Sequence, residues 1–137
     1  MNRIDHDEMI KMLKMAEEAK EHAYAPYSEF KVGACLKASS GKYYLGCNIE
    51  NVSYGATNCA ERTAVFKAVY EGEREFDGIA IASSGTLPSY PCGICRQVLS
   101  EFCSADMPVI LNSTEEEYIV HTLGDMLPFS FSKDNLI

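Results

Sequence analysis

Two short apolar runs, FDGIAIA at 76–82 and MPVIL at 107–111, stand on either side of a helical stretch, CGICRQVLSEF at 92–102. No other feature of the chain constrains its fold as tightly. Runs this short have the length of buried strands rather than helices. Two strands joined through a helix pair in the same direction by a right-handed crossover. The chain is therefore expected to be an α/β protein.

The rest of the pattern builds around that unit. Met9, Met12, Leu13, Ala16, Ala19 and Ala23 recur at helical spacing behind Asp5 and Glu8 in capping positions, which predicts a first helix from Asp5 to Ala23, stopped before Pro26. Phe30, Val32, Ala34 and Leu36 alternate, SSGK turns the chain, and Tyr43 to Cys47 resumes the pattern, as in an antiparallel hairpin. The polar stretch NIENVSYGAT reads as a loop leading to Asn58, where a second helical pattern runs to Tyr70 and ends at Gly72. SSGTLPSYP is a further loop, EYIVHTL a last strand, and TLGDMLPFSF leads into a tail. The expected order, α-β-β-α-β-α-β-β, describes one mixed five-stranded sheet flanked by helices, with no repeat, linker or low-complexity segment.

A length of 137 residues predicts a single domain spanning 1–137. With 47% apolar and 23% charged residues, the composition is that of a chain able to bury a core. A net charge of −8 repels polyanions, so a nucleic-acid partner is not expected. No apolar stretch approaches the roughly 18 residues that cross a bilayer, and the charged amino terminus lacks an apolar core of the signal-peptide kind, so the expected location is the cytoplasm, away from membranes. There the six cysteines favour metal binding or reduced thiols over disulfides.

Those cysteines divide by position. Cys35, Cys47 and Cys103 fall among apolar residues and read as small hydrophobic side chains. Cys59 opens one helix and Cys92 and Cys95 open another, so three sulfurs can converge where two helix N-termini meet. Zinc with three protein ligands keeps a fourth position for water, the arrangement of catalytic rather than structural sites. Three thiolates on a divalent ion leave the unit at −1, which two helix N-termini and Arg62 can offset. Glu61, two residues after Cys59, has two readings: a proton carrier beside the metal, or, with Asn58, half of a helix-capping pair. PCGIC itself also fits a redox pair, or a closed zinc site completed by a fourth ligand that no spacing nominates. The three histidines show no ligand spacing.

The strings APYSEFKVGA (25–34), GCNIENVSYGATNCAERTA (46–64), PCGICRQVLSEF (91–102) and the terminal LPFSF, in this order and over nearly the whole chain, resemble the small homotetrameric cytidine deaminases. The resemblance implies the cytidine-deaminase-like α/β fold and one Zn²⁺ per subunit, held by Cys59, Cys92 and Cys95. It implies Glu61 as the proton shuttle and Arg62 as a hydrogen-bond donor to the ligand thiolates. Phe30 would pack against the base, Asn48 and Glu50 would bind the ribose hydroxyls, and the backbone at Ala60 would contact the base edge. Phe131 would enter a neighbouring subunit's site. Phe129-Ser130 stands where the family has Gly-Ala, and Ser132-Lys133 where it has Gly-Pro. The implied reaction is hydrolytic deamination of cytidine and deoxycytidine, a step of pyrimidine salvage, in which water adds at C4, Glu61 moves its proton to N3, and ammonia leaves. Blasticidin S deaminase shares CAE and PCxxC but lacks the YSEF and NIENVSYG strings. A non-catalytic zinc or redox protein would instead show four closed ligands or a reversible disulfide.

Overall fold

Strand formation follows the apolar runs closely. The computed structural model describes residues 4–136; Met1, Asn2, Arg3 and Ile137, the ends of the expected domain, lie outside the described residues. Its elements are α1 (His6–Lys20), β1 (Val32–Ala38), β2 (Tyr43–Cys47), α2 (Ala60–Tyr70), β3 (Phe76–Ser83), α3 (Gly93–Phe102), β4 (Pro108–Leu111), β5 (Ile119–Thr122) and α4 (Leu123–Met126), with single 3-10 turns at Tyr54–Ala56 and Lys133–Asn135. The five strands form one sheet in the order β2-β1-β3-β4-β5. The pair β3 and β4 is parallel, as the helix between them requires, and every other neighbouring pair is antiparallel.

Both faces of the sheet are covered. On one, Met12, Leu13 and Ala16 of α1 pack against Cys35, Ala80, Ala82 and Ile110. On the other, Ala60, Ala64 and Val65 of α2 and Leu99 of α3 meet Ala34, Leu36, Ile79, Ile81, Val109 and Leu111. Full burial of each such branched side chain contributes about 1.5–3 kcal/mol. This double coverage buries both faces of β1: between Ala34 and Leu36, the intervening Cys35 is also buried, beneath α1. Phe30, expected to begin that strand, lies outside it.

Two glycines let the helices approach backbone to backbone. A β-carbon on Gly33 would lie 2.0 Å from the Ala16 carbonyl oxygen, and one on Gly46 would lie 2.3 Å from that of Ala60. Neither position tolerates any side chain without a shift of main chain.

Two helix boundaries and one added element differ from expectation. The first helix ends at Lys20 rather than Ala23, because Glu21, His22 and Ala23 donate to carbonyls three residues back and tighten the last turn. The second helix starts at Ala60 rather than Asn58. A short α4, not foreseen, follows β5 and is capped reciprocally by Thr122 and Asp125.

α1 is tied to the sheet edge by Glu8, whose carboxylate accepts from Lys37 Nζ at 2.7 Å and Tyr43 OH at 2.5 Å with the side chain 17% exposed. Burial opposes its charge, but the Lys37 and Tyr43 bonds outweigh that and hold its carboxyl below the usual carboxylate range. A depressed carboxyl contributes stability above its unfolded pKa, near 4.5, and that contribution disappears as pH falls through the lower folded value. Glu8→Gln is expected to lower unfolding free energy by about 1–3 kcal/mol at pH 7, with a smaller gap from wild type at pH 3. Urea unfolding at the two pH values checks this, and an equal gap at both would count against the ion pair.

Candidate active site

Ser, Thr, Asp and Asn are the residues that normally cap a helix N-terminus. α2 and α3 are capped by cysteine instead. Cys59 and Cys92 occupy the two N-cap positions, and neither makes a side-chain capping bond. Their sulfurs turn toward each other, 3.8 Å apart. Cys95, one turn into α3, is buried and completes a group whose three sulfurs all lie within 4.8 Å of one another. A tetrahedral ion with Zn–S bonds near 2.3 Å needs sulfurs about 3.8 Å apart, so this donor set fits zinc. Among the described residues, no fourth His, Cys, Asp or Glu joins the cluster, which leaves it with the three-ligand count of catalytic sites.

Asn58 does not cap α2. Its side-chain amide donates to Thr63 Oγ1 at 3.1 Å, and its backbone exchanges two 2.9 Å hydrogen bonds with Ile49. The proposed Asn58–Glu61 capping pair is therefore absent, and Glu61 sits in the first turn of α2, only 5% exposed. Burial, with the neighbouring Cys59 adding to it, raises the Glu61 carboxyl to about 7. A carboxyl poised there can both take and give a proton at neutral pH.

The cluster is polarised by its own donors. Cys59 is lowered to about 5, chiefly because the Cys95 thiol donates to its sulfur, with Arg62 assisting. The same bond pushes Cys95 up. Arg62 donates to Cys59 Sγ at 3.2 Å; burial works against its charge, but bonds to Cys59 and Cys95 hold its proton more firmly than usual.

A second group of predicted residues gathers at the end of β2. Asn48 is 8% exposed; its Oδ1 accepts from Val32 N at 2.9 Å and its Nδ2 donates to Phe30 O at 2.8 Å, fixing the segment that carries Phe30. One lone pair and one hydrogen of that amide remain for other use. Phe30 itself is 41% exposed. The Glu50 carboxylate accepts from the backbone N–H groups of Tyr27 at 3.0 Å and Ser28 at 3.1 Å and from the Ser28 hydroxyl, and the Ser28 bond leads in holding it below the usual carboxylate range. Ala60 opens α2 and is buried against Gly46. Phe131 stands apart, beside α3, where its carbonyl accepts from Gln97 at 2.8 Å while 61% of the residue is exposed.

Two contributors escaped the sequence reading. Ser28 was legible only as part of the YSEF string. Arg96 donates to Pro91 O and Met126 O, both at 2.7 Å, and so anchors the turn bearing Cys92 to the end of α4; nothing in the sequence pairs it with either carbonyl.

Residues 6–111 match the family described as the cytidine and deoxycytidylate deaminase zinc-binding region. The chain belongs to the cytidine deaminase family. A cytidine deaminase of Sporosarcina psychrophila is 48% identical over 92% of this chain and 93% of its own, and one of Halalkalibacterium halodurans 46% identical over 91% and 95%. The crystal structure of cytidine deaminase from Burkholderia pseudomallei superposes with a TM-score of 0.85 at 44% identity, covering 93% of this chain and all of that one. The mixed five-stranded sheet flanked by helices is thus the cytidine deaminase fold, and Cys59, Cys92, Cys95 and Glu61 all lie inside the matched zinc-binding region. Among the described residues no helix is long and apolar enough to cross a membrane.

Proposed function

We propose that this chain catalyses the hydrolytic deamination of cytidine and 2′-deoxycytidine to uridine and 2′-deoxyuridine, releasing ammonia. The observation that carries this reading is the buried Glu61 carboxyl in the helix turn that begins at the three-sulfur cluster. Zinc bound by Cys59, Cys92 and Cys95 supplies the Lewis acidity that makes water nucleophilic at neutral pH. Glu61 takes the proton of the attacking water, delivers it to ring N3 as oxygen adds at C4, and carries a second proton to the departing amine. Arg62 offsets the excess negative charge of three thiolates. Phe30 faces the planar base, the Ala60 N–H at the open end of α2 donates to its edge, and Asn48 and Glu50 bind the sugar hydroxyls.

The exposed Phe131 ring supports a shared site, in which each subunit inserts this aromatic beside a neighbour's substrate. The assembly is then a homotetramer of roughly 60 kDa, four times the chain mass of 15.2 kDa. Residues 1–137 act as one domain, in the cytoplasm, in pyrimidine salvage.

The test is the ultraviolet absorbance change on mixing zinc-loaded protein with cytidine, with ammonia release measured in parallel. Conversion to uridine that stops with a strong chelator is the expected result. Turnover of blasticidin S but not of cytidine would move the substrate assignment to another aminopyrimidine. Full activity in a monomer would overturn the shared site.

A further inference from the structure

Ser28 has one hydroxyl hydrogen, and the structure determines where it points. Its oxygen accepts from Phe30 N at 3.0 Å, so its own hydrogen is left to donate, and it donates to Glu50 Oε2. Glu50 Oε1 is already filled by the backbone N–H groups of Tyr27 and Ser28. A carboxylate offers about four lone-pair positions, and the described residues occupy three of them. A single acceptor position remains, on Oε2, in a direction set by the Ser28 bond. The residue between Ser28 and Phe30, Glu29, adopts φ 57°, the left-handed region that non-glycine residues rarely take. The turn holds that conformation with Glu29 N on Ala25 O at 3.0 Å and Phe30 N on Ser28 Oγ. One serine therefore links the carboxylate at the sugar to the backbone of the aromatic at the base.

We infer that Ser28 is a specificity-determining positioning residue: by filling one lone pair of Glu50 and fixing the rest, it makes Glu50 a reader of one sugar hydroxyl rather than two. This rests on the proposal that Glu50 binds the sugar. Removing the hydroxyl that Glu50 reads orphans its last acceptor position, whereas removing the other leaves Glu50 unchanged. Without Ser28, the carboxylate gains a second open position and loses its fixed direction, so the two hydroxyls become nearly equivalent.

The experiment is calorimetric binding of uridine, 2′-deoxyuridine and 3′-deoxyuridine to zinc-loaded wild type and Ser28→Ala, with cytidine turnover measured on the same samples. For wild type, one deoxy analogue is expected to bind about tenfold more weakly than uridine and the other within about threefold. In S28A, uridine binding is expected to weaken about three- to tenfold and the two analogues to fall within about twofold of each other. Ser28→Thr, which keeps the hydroxyl, should restore the asymmetry; should S28A fail to fold, Ser28→Cys, a weaker donor of similar size, is read the same way. Equal losses for both analogues in wild type, or an asymmetry that survives S28A, would overturn the assignment to Ser28 while leaving cytidine deamination standing. Asymmetric uridine binding without cytidine turnover would overturn the proposed reaction and support Ser28, and a protein that binds no uridine would overturn both.

Discussion

Glu61→Gln is expected to keep its zinc and lose about 10²- to 10⁴-fold in kcat, the range that a positioned general acid/base contributes. Glutamine has the shape of the carboxyl but cannot take up or release a proton near neutrality. Its zinc content should match wild type because none of the three sulfurs is touched. The fold should not suffer either: Glu61 is a buried carboxyl raised by that burial, so a neutral amide removes a charge the interior disfavours. The decisive pattern is kcat lowered together with kcat/KM, at unchanged metal content and melting temperature. A Gln variant with more than a tenth of wild-type kcat would remove Glu61 from the mechanism.

Cys59→Ser is expected to abolish both metal and turnover. Serine at this N-cap can make the capping bond that Cys59 does not make, but it provides no thiolate, and thiolates are what zinc requires here. Zinc per chain, measured by elemental analysis after dialysis, should fall from about one to near zero. At free zinc a thousandfold above its Kd, bound metal adds about 4 kcal/mol to stability, so a variant without it should melt about 10–15 °C lower. Chelated wild type should melt alongside it. Cys103→Ala provides the contrast, because that thiol lies outside the cluster, among the partly buried residues packed on the core, and is pushed up to about 12 by burial. Retention of stoichiometric zinc by Cys59→Ser would show that the ligand set lies elsewhere.

The order of helices and strands was legible because apolar runs and helical spacing report burial directly, as at Phe76–Ser83 and α1. Parallel pairing of β3 and β4 followed from the helix between them. The start of α2 was not legible: Asn58 and Glu61 satisfy the spacing of a capping pair, and it is the bridge between Asn58 and Ile49, formed by residues nine apart in a loop, together with the side-chain bond to Thr63, that shows Asn58 committed elsewhere. That β1 is buried on both faces was not legible, because its local alternation cannot report that α1 covers the second face. At the site, the gathering of the three cysteines was readable from type and spacing, whereas Glu61 was left between a proton carrier and a cap until the resemblance was considered. The triple use of Glu50 by residues 27 and 28 was not, since it depends on a turn more than twenty residues away in the chain.

The close approach at Gly46 has a bearing on how the two groups of candidate site residues are spaced. Gly46 touches the first turn of α2, where Cys59 and Glu61 reside, and stands two residues before Asn48 and four before Glu50 on the same segment. The strand and the helix thus act as the jaws of a calliper. One jaw carries the groups proposed to react with the base, the other those proposed to hold the sugar, and the missing side chain fixes the gap between strand and helix. A methyl group at position 46 would meet the main chain of Ala60 and Ala64 and force the jaws apart, so their spacing is measured by main chain alone.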